Sequence, residues 1–212
     1  MLRKHAAPVA ALALALAAPL IARAQSPGYF ANMTNAGEPG GVTPTLQNGQ
    51  PRPASFGSAT FVFNDTRTAL TMVANIFNID VTGSQTPDPN DNLTNAHIHA
   101  AGTGGTATFP VVWGFHGSPQ NNNNPTDGSV VPFPVGVGGT FTATWNAPEG
   151  NNTTLAAQIP NIDAGRSYIN FHTTQFGGGE IRGTLEVPEP ASLALLALGA
   201  AYTLTSRRRP NT

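Results

Sequence analysis

The sequence predicts an all-β protein, an antiparallel Greek-key β-sandwich or flattened barrel of about eight strands. Three observations lead there. The 3.6-residue apolar period of helices is nearly absent between the two ends of the chain. Runs rich in Thr, Val and Phe recur instead, several with strict apolar/polar alternation. Between them lie clusters of Asn, Asp, Gly and Pro, drawn from 23 glycines and 19 prolines in 212 residues.

Met1-Leu2-Arg3-Lys4 is a basic start, Ala10 to Ile21 is an apolar run, and Ala22-Arg23-Ala24 fits a small-x-small cleavage site. Residues 1–24 therefore read as a secretory signal peptide cut after Ala24. Residues 25–53 read as an irregular lead-in with room for one strand, and residues 54–187 as the β domain. Strands are expected over 55–63, 68–81, 94–100, 106–115, 138–146, 153–159, 166–173 and 180–187. In the second, Leu70, Met72, Ala74 and Ile76 share one face and Val73, Phe77 and Ile79 the other, which predicts a central strand. The stretches Thr82–Asn92 and Gly117–Gly128 lack any period and are expected to be mobile surface loops. Alternation predicts Ile98, Ile169, Phe171, Ile181 and Leu185 buried, with Asn95, Asn170, Glu180 and Arg182 more accessible. Trp113 and Trp145, flanked by Val and Thr, read as core rather than as sugar-stacking platforms.

Residues 188–212 differ from everything before them. Val187-Pro188-Glu189-Pro190 is followed by an uncharged run, Ala191 to Ser206, and then by Arg207-Arg208-Arg209. As a helix the run reaches roughly 24 Å, slightly short of a hydrocarbon core. The arginines would stay on the cytoplasmic side, placing the domain across the membrane. Within 25–187 four arginines face ten carboxylates and lysine is absent, a net charge near −6 that disfavours nucleic acid as a partner. The chain has no cysteine, so packing must hold the domain together without disulfides.

The residues with chemical potential are histidines. In Asn95-Ala96-His97-Ile98-His99-Ala100 the two-residue period sends His97 and His99 to one face, and in Tyr168-Ile169-Asn170-Phe171-His172-Thr173 it sends His172 away from Ile169 and Phe171. If Thr174 pairs with Glu180, His172 lies across from Arg182. Three imidazoles on neighbouring strands could hold copper or zinc, with His116 a weaker fourth candidate. The competing account is a polar cluster hydrogen-bonded to Asn95 and Asn170, without metal. Asp88, Asn90, Asp91 and Asn92 do not follow a calcium-loop spacing and read as a solvated turn. No nucleophile stands in a catalytic motif, and no glycine-rich turn leads into a helix that would cradle phosphate.

Three resemblances add to this reading. The Pro188-Glu189-Pro190 motif, apolar run and arginine end resemble the PEP-CTERM sorting signal, which implies export and removal of the tail by a membrane exosortase. Asn95-Ala96-His97-Ile98-His99-Ala100-Ala101-Gly102, Tyr168 to Thr173 and Gly179-Glu180-Ile181-Arg182-Gly183 resemble the hallmark motifs of the CHRD domain, implying an extracellular β-sandwich over roughly 55–187. The triple glycine before Glu180 and the asparagine-rich loop after Gly117 depart from that pattern. The order His97, His99, His116, His172 is also similar to the copper-ligand spacing of copper/zinc superoxide dismutase, though its cysteines and zinc-loop residues have no counterpart here. The expectation is a non-enzymatic structural or adhesive module of the envelope or extracellular matrix, without cofactor and with exopolysaccharide or surface proteins as partners. The alternative is a histidine-site copper or zinc protein.

Overall fold

Period-two alternation with Val, Thr and Phe on both sides of the pleat folds this chain into sheet, and a computed structural model describes it over residues 28–101 and 108–187. The signal segment with Ala24 and the tail from Pro188, Glu189 and Pro190 onward lie outside the described residues. The strands are β1 (Gly28–Thr34), β2 (Phe56–Phe63), β3 (Ala69–Phe77), β4 (Leu93–Ala100), β5 (Val111–His116), β6 (Ser129–Pro132), β7 (Gly138–Asn146), β8 (Ser167–Thr173) and β9 (Ile181–Thr184), with one helix, α1 (Leu155–Asp163), between β7 and β8. They form one antiparallel sheet in the order β5-β4-β8-β9-β1-β2-β3-β7-β6, curled into a half-barrel.

Curling brings distant strands of that order face to face around one core. Trp113 of β5 stacks on Trp145 of β7 with ring centroids 5.6 Å apart, both fully buried. Phe171 of β8 meets Phe115 of β5 at 5.7 Å and Phe141 of β7 at 5.2 Å, both edge to face. Ile98, Ile169, Ile181 and Leu185 join them in the core. β3 is central, between β2 and β7, but its second face is open to solvent at Val73 and Phe77.

The expected strand at 153–159 is instead part of α1. Thr154 caps it by accepting from the Ala157 N–H, Leu155 and Ile162 bury one stripe seven residues apart, and Gly165 leaves in a left-handed conformation. The loop 82–92 is pinned rather than mobile: the buried Asp80 carboxylate accepts N–H bonds from Thr82, Gln85 and Thr86. Burial opposes ionisation there, yet those N–H groups outweigh it and hold the carboxyl below its usual range. The second loop is held by Glu149, whose carboxylate accepts from the N–H groups of Asn123 and Asn124. β5 begins only after Pro110, which cannot donate to a ladder.

Asn170 and Glu180, expected to be accessible, are buried. Glu180 is fully enclosed and forms the main polar junction of the fold. Its carboxylate accepts from Arg52 Nη2 at 2.6 Å, from Thr173 Oγ1 at 2.5 Å and from Ser55 Oγ, while its carbonyl accepts from Asn35 Nδ2 at 2.9 Å. Arg52 also reaches the Asn78 carbonyl at 3.1 Å. The lead-in, the end of β3 and the β8–β9 turn are thereby joined through one buried ion pair. Arg52→Ala strands the Glu180 carboxylate and is expected to cost about 3 to 5 kcal/mol in urea melts, whereas the paired Arg52→Met/Glu180→Leu replacement recovers most of it. A loss below about 1 kcal/mol for the single change would contradict this role.

Candidate metal centre

The outer face of the sheet carries two neighbouring histidine strands. β4 pairs with β8 so that His97 opposes Asn170, His99 opposes Tyr168 and Asn95 opposes His172, placing His97, His99 and His172 on one face away from Ile98, Ile169 and Phe171. The other partner of β4, β5, is bulged opposite Ala96/His97 and again opposite Ile98/His99. One nitrogen from each of the three rings lies within 4.8 Å of those from the other two, and all three residues are buried. His116 is not part of this group. It pairs with Ala96, whose side chain is in the core, and its ring stands edge-on to Phe141 at 5.8 Å.

Each outward-pointing ring nitrogen meets a backbone carbonyl. His97 Nε2 lies 2.9 Å from the Ser118 oxygen, His99 Nδ1 2.8 Å from that of Phe109, and His172 Nδ1 3.0 Å from that of Gly177. A carbonyl only accepts, so these nitrogens carry the protons, and the neutral rings turn bare lone pairs inward from His97 Nδ1, His99 Nε2 and His172 Nε2. The first and last are 3.2 Å apart, and His99 Nε2 is buried without a hydrogen-bond partner. Three acceptors thus converge with no donor among them. A carbonyl on the far nitrogen of each imidazole is also the support that orients metal-bound histidines.

Protonation is a poor remedy for this crowding. Burial, and for His97 the neighbouring His172, push His97 down to about 4. Burial, with the charges of His97, His172 and Arg182, pushes His99 down to about 4 as well. Burial also lowers His172 and His116. A cation at about 2.0 to 2.1 Å from each nitrogen in tetrahedral geometry sets ligands about 3.3 to 3.4 Å apart, close to the spacing of the tightest pair. An all-imidazole set suits copper and zinc and is a poor match for oxygen-seeking calcium or magnesium.

The surroundings correct two expectations. Asn95 and Asn170 do not bond the histidines: Asn95 Oδ1 accepts from the Ser118 N–H at 2.7 Å, and Asn170 Nδ2 donates to Glu38 Oε1 at 2.5 Å. Arg182 lies across from Asn170 rather than His172, because β8 and β9 pair as Phe171 with Ile181, two residues from the expected register. Its guanidinium sits 3.5 Å above the Tyr168 ring, and Tyr168 stacks on His99 at 4.6 Å, so an aromatic ring separates that charge from the lone pairs. Asp88 and Asp91, weighed for calcium, spend their oxygens on the chain itself, on the N–H groups of Gln47 and Asn90 and the Thr86 hydroxyl.

The carbonyls of Phe109, Ser118 and Gly177 were invisible in the sequence, since every residue has one. Gly114 carries a legible signal, a lone glycine inside a strand. It opposes His97, and a Cβ there would fall 1.8 Å from the Pro119 oxygen, so only glycine lets the loop bring Ser118 onto His97.

The depressed histidines fix a pH dependence for the metal-free domain. Unfolded, each titrates near 6.5; folded, His97 and His99 titrate near 4, so between those values the unfolded chain binds more protons. Stability is full above about pH 6.5 and falls as pH drops toward about 4. Denaturant melts across this range should show that decline, with a shallower slope in His97→Gln/His99→Gln. Equal slopes in the two proteins would contradict the assignment of neutral, inward-facing rings.

Comparison with known proteins places this geometry. The CHRD domain family model matches residues 29–185, and the PEP-CTERM protein-sorting motif matches residues 186–209. No curated protein and no solved structure was found to match the chain. The sorting motif marks an exported protein handled by exosortase. With its sheet from Tyr29 of β1 to the end of β9 inside the matched span, the chain belongs to the CHRD domain family and carries its CHRD domain directly ahead of a PEP-CTERM sorting motif.

Proposed function

We propose that this exported protein serves as a non-enzymatic structural module of the cell surface or extracellular matrix, and that its CHRD domain is held together by one copper or zinc ion bound to His97, His99 and His172. One observation carries the reading: three buried imidazole nitrogens converge without a donor, each ring fixed from behind by a carbonyl. His97, His99 and His172 are 4, 8 and 7% exposed, which favours a stabilising ion over a site that admits substrate. A cysteine-free exported domain gains from such a clasp what others gain from disulfides. His97, His99 and His172 come from β4 and β8, so the ion bridges two strands far apart in sequence. Signal cleavage after Ala24 and processing near Pro188-Glu189-Pro190 would deliver this domain, free of both ends, to the envelope or matrix.

Metal analysis of the mature protein from its native host, with copper and zinc titrations, tests the proposal. One ion per chain is expected, with a higher melting temperature when loaded and loss of both effects in His97→Ala/His99→Ala. Binding that is substoichiometric and indifferent to the double substitution would overturn it. Intact mass of the same preparation is expected to give a chain from Gln25 to the neighbourhood of Pro188-Glu189-Pro190.

A further inference from the structure

Among the described residues, the nitrogens of His97, His99 and His172 gather with no cysteine or carboxylate in their group. Residues 102–107, Gly-Thr-Gly-Gly-Thr-Ala, contain no histidine, cysteine, methionine or carboxylate either. The outer nitrogens of the three rings face the backbone carbonyls of Ser118, Phe109 and Gly177, so no carboxylate behind a ring lends it negative charge. Asn170 is buried across the ladder from His97, but its amide is engaged at the β8–β9 turn. Its Nδ2 donates to Glu38 at 2.5 Å, and a Cβ on Gly179 would fall 2.6 Å from Nδ2 and 2.8 Å from Oδ1.

The charges nearby do not favour a dication. Beyond the cluster itself, the charge acting on His99 is the cation of Arg182, whose guanidinium stands over the Tyr168 ring. Glu38, the carboxylate bonded to Asn170, lies in the field of the same arginine, so the two offset each other. Glu180 is paired with Arg52.

We infer that this centre selects copper(I) over zinc and copper(II), an inference that rests on the three-histidine metal reading and names its ion. Charge is the first argument. The cost of taking an ion out of water grows as the square of its charge, so a dication costs about four times as much as a monocation of similar size. Three neutral imidazoles, on residues 4 to 8% exposed, supply no negative charge to offset the difference. Coordination number is the second argument. Structural zinc is almost always four-coordinate, and a fourth ligand is missing from the group. Copper(I), with a filled d shell and a single charge, is satisfied by three nitrogens in a plane. At about 2.0 Å from each nitrogen, that geometry sets the ligands about 3.5 Å apart. The tightest pair here is 3.2 Å apart, and all three lie within 4.8 Å of one another.

Anaerobic titration of the mature exported protein tests this, with copper(I) supplied under ascorbate against a coloured copper(I) chelator, and zinc and copper(II) titrated separately against chelators of their own. One copper(I) per chain is expected, bound at least about 100-fold more tightly than either dication and lost in His97→Ala/His99→Ala. Arg182→Gln, checked for folding by circular dichroism, reads the charge argument directly. Removing a cation acts on each bound ion in proportion to that ion's charge, so zinc affinity is expected to rise by the square of the factor by which copper(I) affinity rises. Equal changes in the two affinities would contradict the inference. Zinc or copper(II) held as tightly as copper(I), and lost with the histidines, would overturn it while leaving the three-histidine centre standing. None of the three ions held through these histidines would overturn both.

Discussion

The buried carboxylate of Glu180 is the interaction on which the rest of this structure depends. It gathers Arg52 from the lead-in, Ser55 from just ahead of β2 and Thr173 from the end of β8, while its carbonyl holds Asn35 and its N–H donates to the Phe171 carbonyl at 2.8 Å. A buried ion pair is weak evidence of net stabilisation, because desolvation consumes most of the attraction. Its value here is specification. The observed register of β8 against β9 has Glu180 beside Arg52 and the Gly177 carbonyl against His172 Nδ1. The polar junction and the histidine cluster are therefore two consequences of a single hairpin geometry.

The sheet uses its two faces differently. One face closes on itself by curling, so Trp113 can stack on Trp145 from a distant strand. The other has no second sheet against it among the described residues. Over β4 and β8, loops take its place, and their exposed carbonyls satisfy the outer nitrogens of the three histidines. That arrangement creates the inner lone-pair crowding, for which a metal ion is the natural complement. Over β1, β2, β3, β7 and β6 the face stays exposed at Phe56, Val62, Val73, Phe77 and Val131.

Alternation made the faces of β4, β8 and β9 legible, and with them the meeting of His97, His99 and His172, because side-chain direction in a strand follows from parity alone. The hairpin register differs by two residues from the expected one, an even shift that preserves every face while moving Arg182 from His172 to Asn170. Parity does not say what covers a face. Asn170 and Glu180 are therefore outward by parity and yet buried, beneath Glu38 and Arg52 of the lead-in. Leu155, Ile159 and Ile162 carry a helical spacing, and it contradicts the strand expected over 153–159. The carbonyls behind the histidines depend on loop conformation, which residue identity does not encode except where Gly114 signals close approach.

X-ray absorption at the metal edge of the purified mature protein tests the central claim most directly, because it reads ligand type and distance together. The account predicts about three imidazole nitrogens at about 2.0 to 2.1 Å from one copper or zinc ion, with the outer-shell scattering of histidine rings. An edge signal arising from oxygen ligands alone, or no bound ion in protein loaded with either metal, would contradict it.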